Sequence, residues 1–162
     1  MFIGDRQMGQ PTIFAFISSI LLALIAYIIP KKMKPYEIYT TSLFAIVFGL
    51  LVDTVIAVKY KLYVLDEPGI QIPALLAQVV LYSSTSIILL NLYPYDKSLR
   101  WKALHIIGFT LFALAFEYIS YGVGFIKYNE WNMWYSAICY PFLVCFLVFH
   151  YKFFKWLVKR HF

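Results

Sequence analysis

Asp53 and Glu117 are the residues in this chain whose type and placement could do chemistry, because each is a carboxyl inside a run otherwise apolar enough for a bilayer. A bare charge there costs about 3 kcal/mol or more, so each must be paired, hydrogen-bonded or neutralised. Two such groups at one depth can share a proton or coordinate a cation, since neither holds its charge alone in lipid. Alternatively, each bonds Tyr, Gln or Thr on a neighbouring helix and fixes packing. A third use is acid–base chemistry on a lipid or isoprenoid, which needs only two groups of different acidity.

The elements that must position them follow from composition. With 62% hydrophobic residues, 14% charged residues and a mean hydropathy of +0.74, a 162-residue chain lacks the polar surface to cover a soluble globule. The net charge of +6 sits in short basic clusters between apolar runs, the pattern that sets membrane orientation, and not in a nucleic-acid-binding stripe.

A span needs about 20 mainly apolar residues. Segments 11–29, 36–58, 73–92, 103–126 and 134–154 qualify, with Pro30, Pro35, Pro68-Gly69, Pro94 and Asn129 to Asn132 between them. The expected fold is therefore all-α, a polytopic membrane helix bundle forming one transmembrane domain over 1–162. The first run lacks a basic lead, since Asp5 and Arg6 cancel, and reads as a retained anchor.

Lys31, Lys32, Lys34, Lys97, Arg100, Lys102, Lys152, Lys155, Lys159 and Arg160 fall on one side of the bilayer. Arg6, Lys59, Lys61 and Lys127 fall on the other, a split of ten against four among the 14 basic residues. The positive-inside rule then predicts five transmembrane helices with the N-terminus outside and the C-terminus cytoplasmic. Tyr36, Tyr39, Tyr93, Tyr95, Trp101, Tyr151 and Trp156 form the inner aromatic belt. Tyr60, Tyr63, Tyr128, Trp131, Trp134 and Tyr135 form the outer one, where a ligand-binding box is the alternative. The tail from Tyr151 to Phe162 interleaves cations and aromatics, which suits an interface with anionic lipid at the cytoplasmic face.

In this threading both carboxyls lie roughly 8 to 13 Å below the outer surface. Helical spacing sets Ser42, Gly49, Asp53, Ala57 and Tyr60 on one face, and Thr110, Ala113, Glu117, Tyr121 and Gly124 on another. Small residues permit close packing, so these faces point inward. Gln71, Gln78, Tyr82 and Thr85 add a third stripe, and Tyr135, Ser136 and Tyr140 a fourth. The ligand- or ion-binding candidates are Asp53, Glu117, Gln78, Tyr82, Tyr121, Tyr135, Ser136 and Tyr140, in a polar pocket opening outward and walled by the second to fifth helices. Lys59 or Lys61 could fold back onto Asp53 and weaken the ion-site reading.

Other chemistry has little support. Cys139 and Cys145 lie about 9 Å apart along one helix, point to different sides and read as buried structural thiols. His105 and His150 are lone residues suited to polar contacts, and no Cys/His spacing resembles a metal site. Nucleophile-elbow, phosphate-loop and His-Glu-x-x-His motifs are absent, and no cofactor is implied. A two-aspartate intramembrane protease does not fit an Asp/Glu pair.

From Leu62 to Tyr140 the chain carries Tyr63, Glu67-Pro68-Gly69, the run from Asn91 to Leu99, Glu117, Tyr128-Asn129, Trp131, Trp134-Tyr135-Ser136 and Tyr140-Pro141. Together these resemble an uncharacterised family of small multi-helix membrane proteins of Bacillus- and Clostridium-type spore formers. The resemblance covers about half the chain. It implies a Gram-positive plasma or spore membrane and supplies no mechanism. It also implies that Glu117, Asn129, Trp131, Trp134, Tyr135 and Ser136 cluster at the outer mouth of the pocket.

The expected function is binding of a proton, cation or small ligand in that pocket, for transport or sensing. The rivals are a structural or regulatory subunit with the carboxylates as interhelical glue, and an intramembrane lipid or isoprenoid enzyme. At 19.0 kDa the chain is small for a secondary transporter, and five helices do not divide into two equal repeats. A homo-oligomer or a partner membrane subunit would answer both objections.

Overall fold

Proline begins the first three helices, where its missing N–H costs nothing and its fixed φ suits the first turn. In the computed structural model, which describes residues 9–66 and 71–161, these helices are α1 (Gln10–Ile28), α2 (Pro35–Asp53) and α3 (Ile72–Leu92). The remaining two are α4 (Leu99–Gly122) and α5 (Met133–His161). All five are long and apolar enough to cross a membrane, α2 being counted with a π-helical turn, Thr54–Lys59, that continues it. Large apolar side chains such as Ile17, Val47, Leu111 and Phe142 stand exposed along them, the surface expected of a multi-pass membrane protein. Residues Asp5, Arg6, Glu67-Pro68-Gly69 and Phe162 lie outside the described residues.

Small side chains let the first three helices close up. Ala15, Ser19 and Ala26 are buried on α1, as are Ala74 and Ala77 on α3, and α3 is the most buried of the five helices. The α1–α2 connection is held by Asn91, which is fully buried near the end of α3. Its Oδ1 accepts the backbone N–H groups of Lys32 at 2.7 Å and Met33 at 3.1 Å, and its amide donates to the Ile87 carbonyl at 2.9 Å. Lys31 Nζ donates to the carbonyls of Ala26, Tyr27 and Ile29, placing a cation where the end of α1 is negative.

Four features differ from the sequence expectation. α4 ends at Gly122, not 126, because Gly124 takes φ +79° and turns the chain; Gly124 therefore leaves the helical stripe assigned to it. Two short strands, β1 (Tyr63–Leu65) and β2 (Ile126–Tyr128), pair antiparallel with Tyr63 opposite Tyr128, so the fold is mostly helical with a small ribbon added. Their pairing joins segments far apart in sequence, which local periodicity cannot show. Gln71 stands at the N-cap position with extended backbone, just before α3 begins at Ile72, so it is not part of that helix's stripe. Tyr93 and Tyr151 are buried in a cluster with Leu90 and Val148, not set in an aromatic belt, because helix packing covers them.

A third acid is satisfied near the opposite end of the bundle. Buried Glu37, in the first turn of α2, accepts the Lys34 backbone N–H at 2.9 Å and the Tyr151 hydroxyl at 3.0 Å. This ties α2 to α5 and places negative charge at a helix N-terminus, where the dipole favours it. Next to it, burial and then the neighbouring Tyr151 push the Tyr95 phenol well above its ordinary pKa.

Helices α1 and α2 pack on α3, α4 packs on α5, and the two groups meet through contacts of α2 with α5 and of α1 with α4. The space left between them holds the site.

Candidate functional site

Asp53 ends the regular part of α2, just before the π-helical turn, and its carboxylate is surrounded by neutral donors. Tyr63 of β1 donates at 2.5 Å, Gln78 of α3 donates at 3.2 Å, and Tyr82, one turn further along α3, also donates. Glu117 on α4 is bound the same way. Tyr128 of β2 donates at 2.5 Å, Ser136 of α5 at 2.7 Å and Tyr140, one turn on, at 2.6 Å. Trp131 extends the second network, its indole N–H reaching the Ser136 hydroxyl at 2.8 Å. Among the described residues no cationic side chain bonds either carboxylate; Lys59 instead lies over the Tyr60 ring, and the Lys61 carbonyl accepts from Asn129.

Burial, then the Asp53 charge, pushes the Tyr63 phenol well above its ordinary pKa. Burial, then its hydrogen bond to Glu117, raises that of Tyr128. Both phenols therefore hold their protons more tightly than a free tyrosine.

Both carboxyls line one cavity of about 380 Å³ between the two helical groups. The lining has an internal repeat. From α2 it takes Ala45, Phe48, Gly49, Val52 and Asp53, and from α4, at one constant spacing, Phe109, Phe112, Ala113, Phe116 and Glu117. From α3 it takes Gln78, Leu81, Tyr82, Thr85, Ser86 and Leu89, matched on α5 by Ser136, Cys139, Tyr140, Leu143, Val144 and Leu147. Four of the five helices therefore form two units of one construction, α2–β1–α3 and α4–β2–α5. Each carries an acid on its first helix, a tyrosine on its strand, and a polar residue followed one turn later by a tyrosine on its second helix. The objection from an odd number of helices applies only to α1, which adds Leu22 to the wall.

Gly49 makes the Asp53 network possible. A Cβ there would lie 2.7 Å from the Tyr82 ring, so only glycine lets that ring cross α2 and reach the acid one turn away. Gly49→Ala is expected to destabilise the fold by about 1–3 kcal/mol through overpacking. Combined with Tyr82→Leu, which removes the ring, the penalty should be mostly recovered in a double-mutant cycle. Simple additivity of the two changes in detergent unfolding would show that the ring does not lean on Gly49.

Of the residues expected at the site, Asp53, Glu117, Gln78, Tyr82, Ser136, Tyr140 and Trp131 come together. Tyr121 and Tyr135 do not line the cavity; they are exposed, Tyr121 stacking on Tyr128 and Tyr135 packing edge-on to Trp131. Asn129 ties the segment after β2 to the one before β1 through the Lys61 carbonyl, and Trp134 is 80% exposed. The pocket is also less polar than expected, and its walls include α1 and the ribbon. Tyr63 and Tyr128, assigned to the outer belt, are the residues missed.

Cys139 reaches the cavity while Cys145 is exposed on α5, so the pair are not both buried thiols. His105 bonds the Leu89 carbonyl at 3.1 Å, and His150 stacks on Phe44 with ring centres 3.6 Å apart.

No protein-family model, curated protein or solved structure matches the chain.

Proposed function

We propose that this protein binds a cation, a proton included, in the cavity around Asp53 and Glu117, and does so to transport or sense it. The observation that carries this reading is the pair of carboxylates lining one cavity with neutral donors only. Three hydrogen bonds hold each carboxyl without supplying a countercharge, so an ionised acid at either position would be left uncompensated in a low-dielectric setting. A cation between the two units supplies the missing charge.

The same proposal carries the threading from the basic residues: N-terminus outside, C-terminus cytoplasmic, pocket facing outward. It places the chain in a bacterial plasma or spore membrane, in the family of spore-former proteins that its loop and Trp-Tyr-Ser motifs resemble. Anionic lipid would meet the basic tail. A homo-oligomer or partner subunit would complete a transporter of this size.

Full hydrogen bonding of each acid within its own unit favours a second reading, a scaffold subunit in which the acids join α2 to α3 and α4 to α5. Thermal unfolding in detergent across pH and a panel of inorganic and organic cations separates the two. A bound cation at 100 times its Kd should stabilise wild type by about 2.7 kcal/mol, and Asp53→Asn and Glu117→Gln should each abolish the gain. A response that stays flat for every cation in the wild type, with variants merely less stable, would leave the scaffold reading standing.

A further inference from the structure

The carboxylates occupy a small part of the cavity wall; the rest is mainly aromatic and aliphatic. Phe48 and Gly49 on α2 match Phe112 and Ala113 on α4 in the repeat, so each unit presents a phenyl ring beside a small residue on the face that carries its acid. Phe44, Phe109 and Phe116 continue this surface, and Trp131 joins it near the ribbon. The Phe48 ring is itself held, packing against Phe44 at 5.6 Å and Phe146 at 4.9 Å between centres.

A small inorganic ion is a poor match for such walls. It gives up a tightly held hydration shell and needs about six oxygen ligands in return, whereas the acid oxygens here already accept bonds from phenols, an amide and a hydroxyl. Nor, among the described residues, do three His, Cys, Asp or Glu side chains converge to hold a metal ion. An ammonium carrying alkyl or aryl groups has the opposite needs. Its charge is diffuse and weakly hydrated, it is attracted by aromatic faces, and its hydrocarbon part gains by leaving water. A cavity of about 380 Å³ lies in the range of small-molecule sites.

We infer that the ligand of this cavity is an organic cation with an apolar body, its charge held between Asp53 and Glu117 and its hydrocarbon part against the matched phenylalanines of α2 and α4. The assignment rests on the cation-binding reading above and narrows it to a ligand class.

Equilibrium dialysis of the detergent-purified full chain with benzyltrimethylammonium tests it. The comparison ligands are tetramethylammonium, potassium, magnesium and neopentylbenzene, the last a neutral molecule of nearly the same shape. Benzyltrimethylammonium should bind at least about tenfold more tightly than tetramethylammonium or either inorganic ion, and neopentylbenzene should not displace it. Asp53→Asn and Glu117→Gln should each remove binding. Phe48→Leu with Phe112→Leu should weaken it about tenfold, a loss that tetramethylammonium, lacking an apolar body, should share only in part.

If potassium or magnesium binds and needs both acids, while benzyltrimethylammonium is held no better than neopentylbenzene, the organic-cation assignment falls and cation binding stands. If no cation of either kind binds and the thermal stability of wild type shows no pH dependence that needs both acids, both fall. Should the phenylalanine variant not fold, the order of affinities in wild type still decides: tetramethylammonium above benzyltrimethylammonium overturns the assignment.

Discussion

Glu117→Ala is expected to cost about 2–4 kcal/mol of stability, the largest effect of any single substitution at the site. Hydrogen bonds between membrane helices are individually modest, averaging about 0.6 kcal/mol, because the unfolded chain in the membrane also finds partners. Three donors converge here on one buried carboxylate, however, and removing it leaves Tyr128, Ser136 and Tyr140 without an acceptor together. Glu117→Gln keeps one acceptor oxygen and should cost about half as much. Titration with SDS, read by tryptophan fluorescence, measures both. A Glu117→Ala value within about 0.5 kcal/mol of wild type would falsify the account of Glu117 as the centre of α4–α5 packing.

Asn91→Ala should rank next, at about 2–3 kcal/mol. The side chain has no solvent exposure, and its carbonyl is the acceptor for two successive backbone N–H groups in the α1–α2 turn. Without it those groups face only the apolar end of α3, and the turn must reopen to find water. Asn91→Asp retains an acceptor and loses the donation to Ile87, so it should recover part of the loss. Hydrogen exchange at Lys32 and Met33 provides a local measure: both amides should exchange much faster in Asn91→Ala, while those of α5 are unchanged. Equal protection in variant and wild type would mean that the turn is held by something else.

Helical periodicity made half of the site legible. Gln78 with Tyr82, and Ser136 with Tyr140, are one turn apart, so the spacing that puts them on one face also brings both to a single acid. Tyr121 obeys the same spacing from Glu117 but stands at the helix end, beyond the cavity, where it stacks on Tyr128. Position along a helix thus decided what position around it could not. Tyr63 and Tyr128 were hidden for another reason: a tyrosine between two spans is the ordinary mark of an interface, and only pairing between distant strands turns it inward. Glu37 gave no signal beyond its place in a first turn, because its partner Tyr151 lies on the last helix.

The ribbon also makes the two acids answerable to a single event. Tyr63 and Tyr128 face each other directly across β1 and β2, and each donates to the acid of its own unit. Peeling the strands apart, or slipping them by one residue, would turn both hydroxyls away at once. Neither acid would then lose its ribbon donor while the other kept it. At the ribbon end of the cavity both acids would lose one of their three donors in the same event, leaving Gln78 and Tyr82 on Asp53 and Ser136 and Tyr140 on Glu117, so the loosening would be cooperative without any second protein chain.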